Sequence, residues 1–231
     1  MSILLDRGER GLLVGQTGSG KTQNAIFQLR NTSLWPVIIL DTKIEDHFFG
    51  IPDDDETLDL IESIDDFKTY ARKPKKEMAD YLLVRPAINE LLDFDVLDEY
   101  CQTLYNKFGA CFIYFDELYN WHKNGQATPG MIGLYTRGRS KGKTVLGATQ
   151  RPSWISRFCL TESSKFYLHN LIDNRDAATL SQVIPGFLNV GKPAKFHFHY
   201  YSPGNTDTIE YFQPVPYQEL NRRKIFKTRW L

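Results

Sequence analysis

The sequence predicts an α/β fold in which a mostly parallel sheet is flanked by helices on both faces. Three observations indicate this class: short uninterrupted apolar runs recur along the 231 residues, amphipathic stretches separate them, and no Pro/Gly/Ser-rich linker divides the chain. Strands of a parallel sheet covered on both faces are apolar throughout, because neither side meets water. The composition, 42% hydrophobic and 24% charged, is that of a globular protein. We therefore expect one domain over residues 1–231, with a basic C-terminal tail at 218–231.

The apolar runs predict the strands of this sheet, at residues 11–15, 36–41, 81–84, 110–115, 144–149, 165–169 and 195–201. The stretches between them predict the helices, at residues 21–30, 58–70, 91–108, 132–139 and 175–183. In the second of these helices, Leu60, Ile61, Ile64 and Phe67 fall at the spacing of one helical face. Strands that alternate with helices in this way favour parallel strand pairing.

The sequence does not indicate an exported or membrane-spanning protein. Its longest apolar runs are far shorter than the ~20 residues that cross a bilayer, and its first ten residues lack a signal-peptide pattern. Cys101, Cys111 and Cys159 are scattered, without a Cys-x-x-Cys pair. We expect a soluble protein in a reducing compartment.

Charge is divided unevenly along the chain, although the net charge is zero. Residues 1–115 carry 20 acidic and 12 basic side chains, whereas residues 116–231 carry 8 and 16. Basic residues gather at 137–143 and again at 222–229. This pattern permits a surface that faces a polyanion, and a solvated basic face is the alternative.

The most specific motif has the pattern G-x-x-x-x-G-K-[ST], directly after an apolar run and at the start of a predicted helix. It consists of Gly15, Gln16, Thr17, Gly18, Ser19, Gly20, Lys21 and Thr22. In such a loop the backbone N–H groups surround phosphate oxygens, and the helix N-terminus adds partial positive charge. Lys21 is placed to reach the β- and γ-phosphates of ATP, and Thr22 to ligate Mg²⁺. The motif predicts a binding site for ATP with Mg²⁺.

Two carboxylates follow the apolar run at 110–115. We expect Asp116 to hold Mg²⁺ and Glu117 to polarise the water that attacks the γ-phosphate. A glutamate in this position favours hydrolysis over transfer of the phosphoryl group to a small acceptor. Gln150, at the end of the strand predicted at 144–149, is suited to sense the γ-phosphate.

A resemblance extends this interpretation. The segment from Arg139 to Pro152 resembles the Arg-x-x-Gly, apolar strand, Ala-Thr-Gln-Arg-Pro signature of the FtsK/HerA group. Residues 172–175 and Gly191 resemble a later segment of the same family, with Asn174 in place of a Ser, and residues 41–45 resemble its Asp-x-Lys-x-Glu. The resemblance runs from about residue 12 to residue 191. It implies a RecA-like (ASCE) P-loop NTPase fold, in which Arg139, with Arg175 as a second candidate, enters the ATP site of a neighbouring subunit.

Because the P-loop begins at Gly15 and the sequence ends at Leu231, we expect none of the accessory domains of cellular FtsK and HerA proteins. A motor of this size is similar to the genome-packaging ATPases of membrane-containing icosahedral viruses. That resemblance implies a homo-oligomeric ring, a hexamer, that moves double-stranded DNA into a capsid in the host cytoplasm. A capsid vertex or viral membrane proteins are the implied docking partners, and the virion is a second location. Lys141, Lys143 and the tail are candidates for gripping DNA phosphates. Three alternatives stay open: a cellular HerA-like or conjugation-coupling ATPase, a membrane-assembly ATPase of the filamentous-phage type, and a small-molecule kinase.

Overall fold

The computed structural model describes residues 3–205 and 208–221. The strands are β1 (Arg10–Val14), β2 (Val37–Leu40), β3 (Leu58–Ile61), β4 (Tyr81–Val84), β5 (Cys111–Phe115), β6 (His122–Lys123), β7 (Gln126–Ala127), β8 (Lys143–Thr149), β9 (Lys165–Leu168), β10 (Phe198–Tyr201) and β11 (Glu210–Phe212). The α-helices are α1 (Lys21–Arg30), α2 (Ile64–Tyr70), α3 (Ile88–Leu92), α4 (Phe94–Asn106), α5 (Pro129–Arg137), α6 (Arg157–Thr161) and α7 (Asn174–Ser181). Short 3₁₀ helices connect several of them, as at Asp46–Gly50 and Gly138–Lys141.

Within these described residues, nine strands form one sheet in the order β11-β10-β9-β1-β8-β5-β2-β4-β3. The seven strands from β9 to β3 are parallel, and β10 and β11 extend the sheet antiparallel at one edge. The predicted α/β class is therefore confirmed. β8 lies between β1 and β5, so that segments following three adjacent strands meet at one edge.

Alternate residues of the strands feed two apolar cores, one on each face of the sheet. On one face, Leu13, Ile39 and Tyr114 pack with Leu29 of α1 and with the 3₁₀ helix at Asp46–Gly50. The other face carries the larger core, in which strand residues pack with α2, α4, α5, α6 and α7. Each face is thereby covered by helices, which explains why β2, β4 and β5 are apolar at every position.

The helix predicted over residues 58–70 is partly wrong. The structure has strand β3 there, followed by α2, and the helix begins only after Ser63. The Ser63 hydroxyl accepts a hydrogen bond from the backbone N–H of Asp66, which caps the helix. Residues 58–61 instead pair with β4 at the edge of the sheet, where only part of each side chain is buried.

Two other predicted elements are shorter in the structure. The helix predicted at 91–108 is divided into α3 and α4, because Asp93 caps the second helix through the backbone N–H groups of Asp95 and Val96. The strand predicted at 195–201 begins only at Phe198, since Phe196 has a φ of 68° and lies outside the extended region. β11 and the hairpin strands β6 and β7 were not predicted.

No α-helix in the described part of the chain combines the length and the apolar character needed to cross a membrane. The basic tail at 218–231 lies almost entirely outside the described residues, which end at Asn221. The single-domain boundary and the role of this tail therefore stay predictions.

Candidate nucleotide-binding and hydrolysis site

The sheet places the predicted motifs at one edge. β1, β8, β5 and β2 are parallel neighbours, in which Val14 pairs with Thr149 and Leu40 with Phe115, while β8 runs two residues past the end of β5. The segments that follow them, at 15–22, 150–152, 116–117 and 41–45, consequently lie side by side. The carboxyl edge of a parallel sheet is where α/β proteins bind ligands.

The P-loop at 15–22 is fixed to the strands on both sides of β1. Gly15 donates its N–H to the carbonyl of Thr149, at 3.2 Å, and Gln16 donates to the carbonyl of Asn170, at 2.9 Å. A side chain at Gly15 would clash, because a Cβ there would lie 2.6 Å from the Cβ of His169. Hydrogen bonds to the end of β8 and to the segment that follows β9 therefore hold the curved backbone of the loop.

Lys21 begins α1 and folds back over the loop. Its Nζ donates to the carbonyls of Gly15, at 2.5 Å, and Gln16, at 3.0 Å. Burial lowers the pKa of Lys21 to about 8, an effect that the nearby carboxylate of Glu117 partly opposes. The carbonyl groups and the nearby carboxylates thus stabilise the positive charge of the Lys21 ammonium. We expect the phosphate oxygens of a nucleotide to take over this role.

Asp116 follows β5 and is buried. The Tyr114 hydroxyl donates to its Oδ1 at 3.0 Å, which fixes the carboxylate toward the P-loop. Its Oδ2 has no hydrogen-bond partner among the described residues and lies 3.2 Å from the ammonium of Lys43. A buried carboxylate oxygen facing only a cation is suited to bind Mg²⁺, as the sequence predicts.

Glu117, also buried, is aligned by Gln150. The backbone N–H of Gln150 donates to Oε1 of Glu117, and the side-chain amide Nε2 donates to Oε2, both at 3.2 Å. The Thr17 hydroxyl donates in turn to Oε1 of Gln150, at 2.7 Å. Burial raises the pKa of Glu117, and Lys43 counteracts this rise. Gln150 thus links the P-loop to the carboxylate expected to activate water.

Lys43 is a site residue to which the motif search assigned no role. Its Nζ lies 3.2 Å from Oδ2 of Asp116 and 3.4 Å from Oε2 of Glu117. Burial lowers the pKa of Lys43, but the two carboxylates raise it by more, so that the net shift is upward. Lys43 therefore compensates two adjacent carboxylates that would otherwise repel each other.

The loop that carries Lys43 is fixed by a buried ion pair. Asp41 accepts hydrogen bonds from the backbone N–H groups of Lys43, Ile44 and Glu45, and from Nε of Arg85 at 2.9 Å. Burial raises the pKa of Asp41, and Arg85 opposes that shift. In the sequence, this loop is indicated by the resemblance of residues 41–45 to the Asp-x-Lys-x-Glu segment. That resemblance does not indicate the partner of Asp41, which is Arg85, directly after β4.

These groups surround a cavity of about 520 Å³. It is lined by Gly18, Lys21, Thr22, Lys43, Asp116 and Gln150, among others. The cavity therefore combines the phosphate loop with both candidate magnesium ligands, Thr22 and Asp116.

Arg139 does not join this site. It lies in the 3₁₀ helix at Gly138–Lys141, before β8 begins, whereas Gln150 follows the end of that strand. A seven-residue strand separates them by about 20 Å. Arg139 is exposed there, as a residue acting on another subunit has to be. Arg175 is also exposed but lies in the first turn of α7, at the same edge as the protein's own P-loop.

The prediction that Lys143 faces DNA is wrong. Lys143 is fully buried, and its Nζ donates to the carbonyls of Phe108 and Gly109 beyond the end of α4. Lys141 is exposed, with its ammonium 3.7 Å from the centre of the Tyr105 ring. Only Lys141 of this pair is available to a polyanion.

Comparison with known proteins identifies the family. The chain is 30% identical over 223 residues to the DNA packaging ATPase P9 of Enterobacteria phage PRD1, an alignment that covers 90% of this chain and 88% of P9. The chain belongs to the viral DNA-packaging ATPases. No family model matches it.

Solved structures share the fold of this packaging ATPase. The genome packaging NTPase B204 of Sulfolobus turreted icosahedral virus 2, solved with AMPPCP, has a TM-score of 0.68 at 20% identity and covers 91% of this chain and 100% of its own. The conjugation coupling protein TcpA of pCW3 has a TM-score of 0.53 at 14% identity and covers 96% of this chain and 65% of its own. At these identities both likenesses show the shared RecA-like fold alone.

Proposed function

We propose that this packaging ATPase hydrolyses ATP in its P-loop cavity and uses the energy to translocate double-stranded DNA into a viral capsid. The observation that carries the proposal is one cavity lined by Lys21, Asp116 and Gln150, with Gln150 hydrogen-bonded to the buried Glu117, in a chain 30% identical to a phage DNA packaging ATPase. The hydrolytic glutamate disfavours the kinase alternative.

The P-loop is proposed to bind the triphosphate. Its N–H groups and the N-terminus of α1 attract the phosphate oxygens, and Lys21 exchanges the carbonyls of Gly15 and Gln16 for the β- and γ-phosphates. The negative charge of the phosphates raises the pKa of Lys21 and so opposes the lowering that burial causes, which keeps the side chain protonated at neutral pH.

The residues present fit a magnesium ion. Thr22 supplies a hydroxyl on the first turn of α1, and Asp116 supplies the buried carboxylate oxygen Oδ2, which faces the Lys43 ammonium at 3.2 Å. We propose that these two residues hold Mg²⁺ together with phosphate oxygens. When bound, the ion would neutralise the charge that develops on the phosphates during transfer.

Glu117 is proposed as the general base. It accepts a proton from water while the water oxygen bonds to the γ-phosphorus and the bond to the β-phosphate oxygen breaks, so that ADP leaves. Gln150 holds the carboxylate through two hydrogen bonds and accepts a third from Thr17 of the P-loop. We propose that this position lets Gln150 sense the γ-phosphate. Lys43, 3.4 Å from Oε2 of Glu117, opposes the rise in the pKa of Glu117 that burial causes and so favours the ionised form.

A ring, proposed to be hexameric, would complete the site. In a head-to-tail ring, the exposed Arg139 at one edge of a subunit approaches the carboxyl edge of the next, where it can stabilise the transferring phosphoryl group. Arg175 is the second candidate for this role. The capsid vertex or viral membrane proteins would hold the ring, and Lys141 would contribute to DNA binding through the phosphate backbone.

The test is the ATPase rate with and without double-stranded DNA, on protein whose mass in solution is measured in parallel. We expect DNA to stimulate hydrolysis by a ring, and Lys21→Met to abolish the rate at every DNA concentration. Arg72→Ala is a matched control for Arg139→Ala, because Arg72 is also exposed and lies outside the basic segment at 137–143. A monomer whose ATPase rate is indifferent to DNA and unaffected by Arg139→Ala would contradict the proposal.

A further inference from the structure

A second cavity adjoins the phosphate site. It has a volume of about 380 Å³ and lies between the first turn of α1 and the segments around Phe198 and Val215. Gly20, Gln23 and Phe196 line both cavities, so that the two lie side by side. Phe196 packs directly on the P-loop, since a Cβ at Gly20 would lie 3.3 Å from its Cα.

The sheet order determines which part of a nucleotide would reach this cavity. Glu117 and Gln150 follow β5 and β8, on one side of β1, and they mark the position of the γ-phosphate. β9 and β10 lie on the other side of β1, and the second cavity is lined by His169, after β9, and by Phe198 of β10. The end of the nucleotide that is opposite the γ-phosphate therefore leaves the P-loop toward this cavity.

The walls suit a flat aromatic ring. Phe196 and Tyr217 line the cavity while remaining 47% and 75% exposed, so that both rings retain accessible surface for stacking, although the Lys195 ammonium lies 5.0 Å from the centre of the Phe196 ring. Burial lowers the pKa of His169 to about 4, so that this wall is uncharged at neutral pH.

One buried polar group in the wall lacks partners. Asn24 is 1% exposed, lines the cavity, and has no hydrogen-bond partner for either its Nδ2 or its Oδ1 among the described residues. Nε2 of Gln23, next to it, is also buried without a partner. Buried amides are nearly always hydrogen-bonded, so that this pair points to a ligand that supplies both a donor and an acceptor.

We infer that this cavity is the base subsite of the ATP site and that Asn24 reads adenine. An asparagine amide can donate to N7 and accept from the N6 amino group of adenine, whereas guanine presents two acceptors, O6 and N7, on the same edge. Phe196 and Tyr217 contact the faces of the base. The inference rests on the proposed function, since it assumes that the P-loop binds a nucleoside triphosphate.

The experiment is calorimetric titration with ATP, GTP and inorganic tripolyphosphate, each with Mg²⁺. We expect the wild type to favour ATP over GTP by about tenfold to a hundredfold. Asn24→Leu, which removes the amide at similar volume, should lose this preference, and Phe196→Ala should weaken ATP and GTP alike. Both variants should bind tripolyphosphate as the wild type does. Phe158→Ala is the matched control, because this phenylalanine is also 47% exposed and lies on α6, away from the cavity.

The outcomes separate this inference from the proposed function. If Asn24→Leu and Phe196→Ala bind all three ligands with wild-type affinity, the base subsite is refuted while the ATPase proposal stands. If the wild type binds neither ATP nor tripolyphosphate, the ATPase proposal itself fails. Loss of tripolyphosphate binding by Asn24→Leu would indicate that this variant misfolds. The base subsite is then tested by Phe196→Ala alone, and wild-type affinity of that variant for ATP and GTP refutes it.

Discussion

Replacing Glu117 by glutamine tests the hydrolytic mechanism with little change of shape. The variant keeps an acceptor oxygen for the backbone N–H of Gln150. Its new amide would face Nε2 of Gln150, and a rotation of the Gln150 amide by half a turn restores the pairing. The Thr17 hydroxyl, which now donates to Gln150, can then accept from it. The main loss is therefore the negative charge and its capacity to take a proton.

The expected magnitude follows from that loss. A positioned general base contributes about 10²- to 10⁴-fold to a rate, or about 3 to 5 kcal/mol of the barrier. We expect single-turnover phosphate release to fall by that factor, while ATP affinity, measured separately, stays within about threefold of the wild type. Glu99→Gln, at an exposed position on α4, is the matched control. Hydrolysis by Glu117→Gln at close to the wild-type rate would remove Glu117 from the mechanism.

Three further predictions concern the groups around this carboxylate. Lys43→Met should move the acid limb of the kcat/KM pH profile to higher pH. Burial raises the pKa of Glu117 and Lys43 no longer opposes this rise in the variant, so that the ionised base is lost earlier as pH falls. An acid limb at the wild-type pH would contradict this. Arg139→Ala should bind ATP normally but lose about 10³- to 10⁵-fold in turnover, and steady-state kinetics with an unchanged kcat would refute its role in trans. Arg85→Leu leaves Asp41 as an uncompensated buried charge, so that urea denaturation should show a free energy of unfolding lower by about 3 to 5 kcal/mol; an unchanged midpoint would show that the pair contributes nothing.

Local patterns were sufficient to predict the elements that carry the site. The P-loop motif fixed the start of α1 at Lys21, because a glycine-rich turn has to end where a helix N-terminus begins. The apolar strands before Gly15 and Asp116 were predicted within a residue or two, since strands buried on both faces are uniformly apolar. The prediction failed at residues 58–61, where an edge strand buries its side chains only in part and its apolar residues fall at a spacing that also fits a helix.

The errors in the site come from contacts between distant segments. Lys43 follows β2 and meets its carboxylates after β5, which requires knowing that these strands are neighbours. Lys143 looks like a surface lysine in sequence, yet carbonyls beyond the end of α4 bind its ammonium inside the protein. Neither the pairing of strands nor the burial of a charge is encoded in a short motif.

The most direct test of the central claim is a translocation assay. A third strand is annealed to double-stranded DNA, and its displacement is followed after the protein and ATP are added. The account predicts displacement that requires ATP hydrolysis, so that it is absent with AMPPCP and with Glu117→Gln. Steady ATP hydrolysis on the same DNA without any displacement would contradict the claim that this ATPase moves along the duplex.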